Sequence, residues 1–300
     1  MNTGALIGLL VMVVSQTATF AKIEPFYSWN TPIAWTGFIL FADSVVWRAR
    51  KRSWIRSNPL EFTFLAIASI PLWLVFEFYN LFIDNWYYTG LPENFWLRQF
   101  GYAWSFATIW PAIFEAADLI DVWRAPAAGV VFGKRYDYIF VNGAGYIVLI
   151  TLGSAMLLFP LVWPTRYLAA PVFLGFILLL EPINVSLGEQ SLIADAGNAD
   201  YRRAVNLMLS GFLCGVLWEF WNYWAGAKWH YSVPIMENLK IFEMPVLGYF
   251  GFPAFALECF TMYVFVRAIA KRVAPSVNSR LSYSIAVTDD MPIRATNHPF

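Results

Sequence analysis

Apolar runs long enough to cross a bilayer recur along this chain, and they constrain its fold before any other feature does. They lie at about 4–20, 32–48, 62–83, 102–121, 138–162, 168–187, 204–225 and 246–267. A helix needs roughly 20 residues to span the hydrocarbon, since each residue rises only ~1.5 Å. Inside that layer the backbone must satisfy its own hydrogen bonds, so a run of this kind crosses as a helix. The expected fold class is all-α: a polytopic membrane helix bundle of about eight transmembrane helices. Composition agrees, with 59% of the 300 residues hydrophobic and 13% charged. The first run is short and ends in Ser15-Gln16-Thr17. A signal peptide would need a basic n-region that Met1-Asn2-Thr3 does not supply, so a retained helix is the expectation.

Lys and Arg orient the bundle. Arg48, Arg50, Lys51, Arg52, Arg56, Arg124, Lys134, Arg135, Arg202, Arg203 and the five from Arg267 to Arg294 share one side of an eight-helix arrangement. Lys22, Arg98, Arg166, Lys228 and Lys240 take the other. The excess predicts a multi-pass protein of the cell inner (plasma) membrane with both termini cytoplasmic. The formal net charge is zero, and no basic surface suits nucleic acid. Cys214 and Cys259 fall inside apolar runs and read as buried small residues. Two cysteines and two histidines at these spacings do not make a metal site, and no phosphate loop or haem ligand pair is present, so no cofactor is expected. The polar stretch 274–300 reads as a flexible cytoplasmic tail, with His298 in it.

A polar pattern occurs twice within the apolar runs. Glu77-Phe78-Tyr79-Asn80, then Trp86-Tyr87-Tyr88, then Glu115 recurs as Glu219-Phe220-Trp221-Asn222, Trp229-His230-Tyr231 and Glu258, with 29 residues from Trp to the last Glu in both. Upstream, Gly37-Phe38-Ile39-Leu40 recurs as Gly175-Phe176-Ile177-Leu178, each followed by an acid, Asp43 or Glu181, and Gly4-Ala5 resembles Gly143-Ala144. The expected organisation is a four-helix repeat at 1–123 and a second at 138–268. An even number of spans gives both the same orientation, related by a pseudo-two-fold along the membrane normal.

Six acids therefore fall within runs as three repeat pairs: Asp43 with Glu181, Glu77 with Glu219, Glu115 with Glu258. No Lys or Arg stands deep enough in the runs to pair with them, and Glu61, Asp118 and Asp121 read as interfacial. Each of the six acids is then protonated, hydrogen-bonded or open to a wet cavity. They serve either as catalytic acids and bases or as hydrogen-bonded clasps between helices. Asn80 and Asn222 sit one turn from Glu77 and Glu219, on the same face. Trp86 and Trp229 fit an interfacial aromatic belt equally well, and His230 reads as an interfacial side chain. Aromatic residues are 19% of the chain and crowd around the acids, with Trp110, Trp218 and Trp221 among them. Their π faces stabilise cations, and with Asn80, Asn222, Trp86 and Trp229 they form the expected substrate-binding set. A carboxylic acid to protonate a double bond, π faces to hold the cation and a second carboxylate to take a proton would suit isoprenoid cyclisation.

In layout the chain resembles the small integral-membrane lycopene cyclase domain of carotenoid synthesis over roughly residues 30–122 and 168–268. The residues that carry the resemblance are Glu77, Asn80, Trp86-Tyr87-Tyr88 and Pro111 before Glu115, then Glu219, Asn222, Trp229-His230-Tyr231 and Pro253 before Glu258. That family works as a pair of three-helix units. The resemblance implies a cyclase, an isomerase-type enzyme that binds a hydrophobic polyene from the bilayer. Two other classes fit the same residues: a pigment- or lipid-binding subunit of a membrane complex, and a proton-coupled transporter.

Overall fold

The computed structural model describes residues 2–124 and 143–287. Lys134, Arg135, the beginning of the fifth expected run and the tail beyond Val287, His298 included, lie outside them. In chain order the helices are α1 (Thr3–Phe20), α2 (Phe26–Arg50), the short α3 (Trp54–Ser57), α4 (Pro59–Ile83), α5 (Phe95–Arg124), α6 (Gly143–Val162), α7 (Ala169–Ser186), the short α8 (Leu192–Gly197), α9 (Arg202–Trp224) and α10 (Gly251–Val273). Between them lie four short strands, β1 (Trp86–Thr89), β2 (Lys228–Tyr231), β3 (Lys240–Ile241) and β4 (Met244–Pro245). Apart from these the described residues are all-α, and six helices among them are long and apolar enough to cross a membrane: α1, α4, α6, α7, α9 and α10.

The remaining long helices, α2 and α5, carry more polar residues because they are enclosed by the others. α5 is buried without a break from Thr108 to Ile120, with α2, α4, α9 and α10 around it. A helix covered on every side does not need an apolar face toward lipid. Pro111 lies within it and interrupts the backbone ladder. Ser69 of α4 repairs the adjoining turn. Its hydroxyl donates to the Phe106 carbonyl and accepts from the Trp110 amide at 3.2 Å, standing between two groups that would bond directly in a regular helix.

Several helix contacts occur in matched pairs. α1 packs on α2 and α6 on α7; α2 meets α5 and α7 meets α10; α4 meets α5 and α9 meets α10. The first of these pairs close at glycines. A Cβ added to Gly8 would lie 2.5 Å from the Gly37 carbonyl oxygen, and one added to Gly153 would lie 2.7 Å from that of Gly175. Small residues let membrane helices approach backbone to backbone. The expected match of Gly4 with Gly143 does not extend to packing: Gly4 lies against Ser44, whereas Gly143 has open space beside it.

β1 and β2 pair antiparallel, with Trp86 opposite Tyr231, Tyr87 opposite His230 and Tyr88 opposite Trp229. The two Trp-x-Tyr motifs thus join in one ladder. Exchanging Trp86 with Trp229, Tyr87 with His230 and Tyr88 with Tyr231 maps that ladder onto itself.

Two expectations need correction at the opposite end of the bundle. First, basic residues do enter the helix core. Arg267 is 1% exposed and pairs at 3.0 Å with Glu61, which is fully buried. Asp118, likewise buried, lies 3.3 Å from Arg50. By apolar runs alone these groups stand at helix ends; in the fold Tyr263, Arg267 and Tyr283 enclose Glu61, and Arg50 and Tyr283 enclose Asp118. Second, the chain after Ala274 is not a free tail as far as Val287. Leu281, Tyr283, Ile285 and Ala286 are buried. The Tyr283 amide donates to Glu61 at 2.8 Å, its hydroxyl to Asp118 at 2.7 Å, and its ring stacks on Trp54 at 4.1 Å.

Candidate functional site: an aromatic cavity under the paired strands

The β1–β2 ladder covers a cavity of about 500 Å³, within the ~300–1,000 Å³ usual for ligand sites. Strand alternation decides what faces it. Trp86, Tyr88, Trp229 and Tyr231 line the cavity. Tyr87 and His230, one position off, stack on each other at 5.4 Å outside it. His230 is held there by Glu243 at 2.9 Å and Thr89 at 3.1 Å. Deeper walls come from Trp35 of α2, Trp73 of α4, Phe106 and Ile109 of α5, Phe173 of α7, Trp218 of α9 and Phe255 of α10. The rings interlock: Trp73 lies 5.8 Å from Trp218 and 5.9 Å from Trp86, and Trp218 lies 5.5 Å from Trp229.

Glu77 and Glu219 sit behind this wall. Glu77 accepts from the Tyr88 hydroxyl at 2.5 Å, the Trp73 indole at 2.8 Å and the Trp86 indole at 3.2 Å. Glu219 is fully buried and accepts from the Tyr231 hydroxyl at 2.9 Å, and that hydroxyl also takes the Trp229 indole at 2.9 Å. Burial first, and the neighbouring glutamate second, push both tyrosine hydroxyls well above their ordinary range. Tyr88 and Tyr231 therefore keep their protons at neutral pH, each lining the cavity with its hydroxyl bonded to the glutamate behind. Sequence reasoning nominated the glutamates and passed over these tyrosines. The Trp-x-Tyr spacing is the signal that identifies them, because alternation in a strand puts both on one face.

Asn80 and Asn222 hold the strands rather than line the cavity. Asn80 accepts from the Asn85 amide at 2.8 Å and the Trp86 amide at 3.3 Å, and donates to the Trp86 carbonyl at 2.8 Å. Asn222 brackets Trp229 in the same way, at 2.9 and 2.8 Å. Each clasp turns the chain from helix end to strand and fixes the Trp that follows. Of the other tryptophans singled out, Trp110 is buried and donates to the Cys259 carbonyl at 2.8 Å. Trp221 packs edge-on against Trp35 at 4.8 Å. Neither is among the cavity-lining residues, whereas Trp218 is.

The six acids do not converge. Asp43 accepts from the Ile55 amide at 2.9 Å and lies 3.5 Å from Arg56. Glu181 accepts from the Ser191 hydroxyl at 2.7 Å, the Ile193 amide at 3.1 Å and the Thr261 hydroxyl at 2.8 Å. Both receive the first turn of a short helix, α3 or α8, at the end remote from the cavity. Glu115 and Glu258 are fully buried; neither oxygen of the Glu115 carboxyl has a hydrogen-bond partner among the described residues, and Glu258 has only the Phe176 backbone beside it. Neither lines the cavity. Cys214 and Cys259 are free and buried. Comparison of the chain with protein-family models, curated proteins and solved structures finds no match.

Proposed function

We propose that this chain is an integral membrane enzyme that draws an apolar, isoprenoid-like lipid into the aromatic cavity and acts on it by proton transfer. The observation that carries the reading is the doubled Tyr–Glu pair, Tyr88 with Glu77 and Tyr231 with Glu219, in which each tyrosine lines the cavity and its hydroxyl is bonded to the carboxyl behind it. In such a pair the tyrosine hydroxyl gives its proton to a substrate double bond while the glutamic acid behind restores it. The π faces of Trp73, Trp218 and Phe255 stabilise the cation that forms. The second pair, with its glutamate ionised, can take a proton away and close the reaction as a cyclisation. The accompanying architecture we propose is eight membrane-crossing helices in two four-helix repeats. Their shared axis would run through the Tyr87–His230 pair, and both ends of the chain would be cytoplasmic. The matched helix contacts, the self-exchanging ladder and the concentration of Arg and Lys at the end remote from the cavity support it.

The test is product formation in membranes supplied with acyclic isoprenoid lipids, hydrocarbon and acid- or phosphate-headed alike. Glu77→Gln with Glu219→Gln, and Tyr88→Phe with Tyr231→Phe, should each abolish cyclised product while membrane levels of the protein stay unchanged. Undiminished product in both double variants would defeat the reading. One observation favours a second class, a carrier or binding subunit: among the described residues no carboxylate itself lines the cavity. Unaltered lipid recovered with the purified protein, and no product from the native chain, would select it.

A further inference from the structure

The walls of the cavity are apolar, yet the charges on them have a single sign. Arg98, Arg166 and Lys228 line it, and among the described residues no aspartate or glutamate does. Two of these cations have carboxylate partners behind the rim: Arg166 bonds Asp84, and Lys228 lies 3.7 Å from Glu243. Arg98, half-buried in the first turn of α5, has no carboxylate within ion-pair distance among the described residues. One turn further along α5, Gly101 and Tyr102 continue the same wall. A plain hydrocarbon would leave this guanidinium partly desolvated and without a counter-charge, which is costly. An anion seated against it removes that cost, and a guanidinium offers a fork of donors matched to carboxylate or phosphate oxygens.

We infer that the ligand is an amphiphile, an apolar chain among the tryptophans with an anionic head group bound by Arg98. This rests on the lipid-binding reading above and narrows its substrate class from hydrocarbon to carboxylate- or phosphate-headed lipid. The anion has two possible sources, a free single-chain lipid or a phospholipid of the surrounding bilayer. Their shared chemistry is one anionic head group on an acyl or isoprenoid chain.

Full-length protein in phosphatidylcholine nanodiscs is titrated with cis-parinaric acid, a polyene acid that takes excitation energy from tryptophan, and with its neutral methyl ester. The acid should bind more tightly than the ester. Arg98→Gln should weaken the acid about tenfold, the loss of one charge-assisted hydrogen bond, and leave the ester unchanged. Arg98→Lys should restore most of the affinity, and Arg272→Gln at the far end of the bundle should change neither. Phosphatidylglycerol in the disc competing with the acid identifies the bilayer as the source. Competition by geranylgeranyl phosphate alone identifies a free lipid. Equal affinity for acid and ester, or an Arg98→Gln variant that weakens both alike, overturns the head-group inference and leaves the lipid reading standing. Failure of both probes to bind overturns the two together.

Discussion

Asp43 and Glu181 show how a carboxylate within an apolar run can be explained without catalysis. In each half a serine stands ten residues on and an isoleucine twelve on, Ser53 and Ile55 or Ser191 and Ile193, where a short helix begins. The first amides of a helix lack internal acceptors, and a carboxylate placed there satisfies them and complements the helix dipole. The acids were legible in the sequence as doubled features, but their use was not, because the acceptor and the turn it caps lie on different helices. Asp43→Ala and Glu181→Ala should therefore each lower stability by about 1–3 kcal/mol, the cost of a buried amide left unpaired. Parinaric acid binding by the folded protein should stay as it was. Thermal unfolding in nanodiscs measures the first and the titration the second. A variant that kept its melting temperature but lost product would return that acid to the catalytic set.

At the scale of elements, most long helices could be read directly from apolar runs, since length and composition are local properties. The paired strands could not. Trp86–Thr89 and Lys228–Tyr231 are four residues each and about 140 apart in the chain, so only the whole fold brings them together. Their content was still visible as the repeated Trp-x-Tyr, which fits an interfacial belt and a substrate-binding set equally well because nothing local announces a cavity beneath. The enclosed helix α5 was visible as a run but not as the centre, since its buried Glu115 and Asp118 look like interruptions until its neighbours are known. Helix approach gives a sharp prediction here. Gly→Ala on an open helix face stabilises by roughly 1 kcal/mol, because alanine is the better helix former. At Gly8 and Gly153 the sign should reverse. A Cβ at Gly8 would stand 2.5 Å from the Phe41 amide nitrogen, and one at Gly153 would stand 2.5 Å from that of Leu179. Those are backbone atoms, which cannot rotate aside, so Gly8→Ala and Gly153→Ala should each cost about 1–3 kcal/mol as overpacking. Gly143→Ala, with nothing within 4 Å, should cost nothing. Thermal unfolding of the three variants side by side checks the contrast.

Taken whole, the molecule keeps its two ends for different work. The end under the β1–β2 ladder holds an aromatic cavity, and the other is closed by a polar network that the C-terminal segment completes. That segment gave no sign of this in the sequence, because its composition is that of a solvated tail and its partners are spread from Trp54 to Arg267. Tyr283 joins most of them: Glu61 through its amide, Asp118 through its hydroxyl, Arg267 at 2.9 Å and Gln190 at 2.8 Å through its carbonyl. Two residues on, the Ile285 amide donates to Gln190 at 3.1 Å, and at Ala286 the amide donates to Asp118 and the carbonyl accepts from Asn206 at 2.7 Å. Buried charges are tolerable only while every partner is in place. A chain ending at Val287 keeps the segment, and one ending at Arg280 removes it and leaves Glu61 and Asp118 short of donors. The shorter chain should be the less stable by several kcal/mol, of the order found on breaking a buried pair, ~3–5 kcal/mol. In the full-length chain, Tyr283→Phe should lose only the hydroxyl bond to Asp118, about 1–3 kcal/mol. Unfolding of all three in nanodiscs ranks them. If the two truncated chains melted together, the segment would be an ornament on a bundle that closes without it. If they separate in the order given, the last described residues belong to the core as much as any helix.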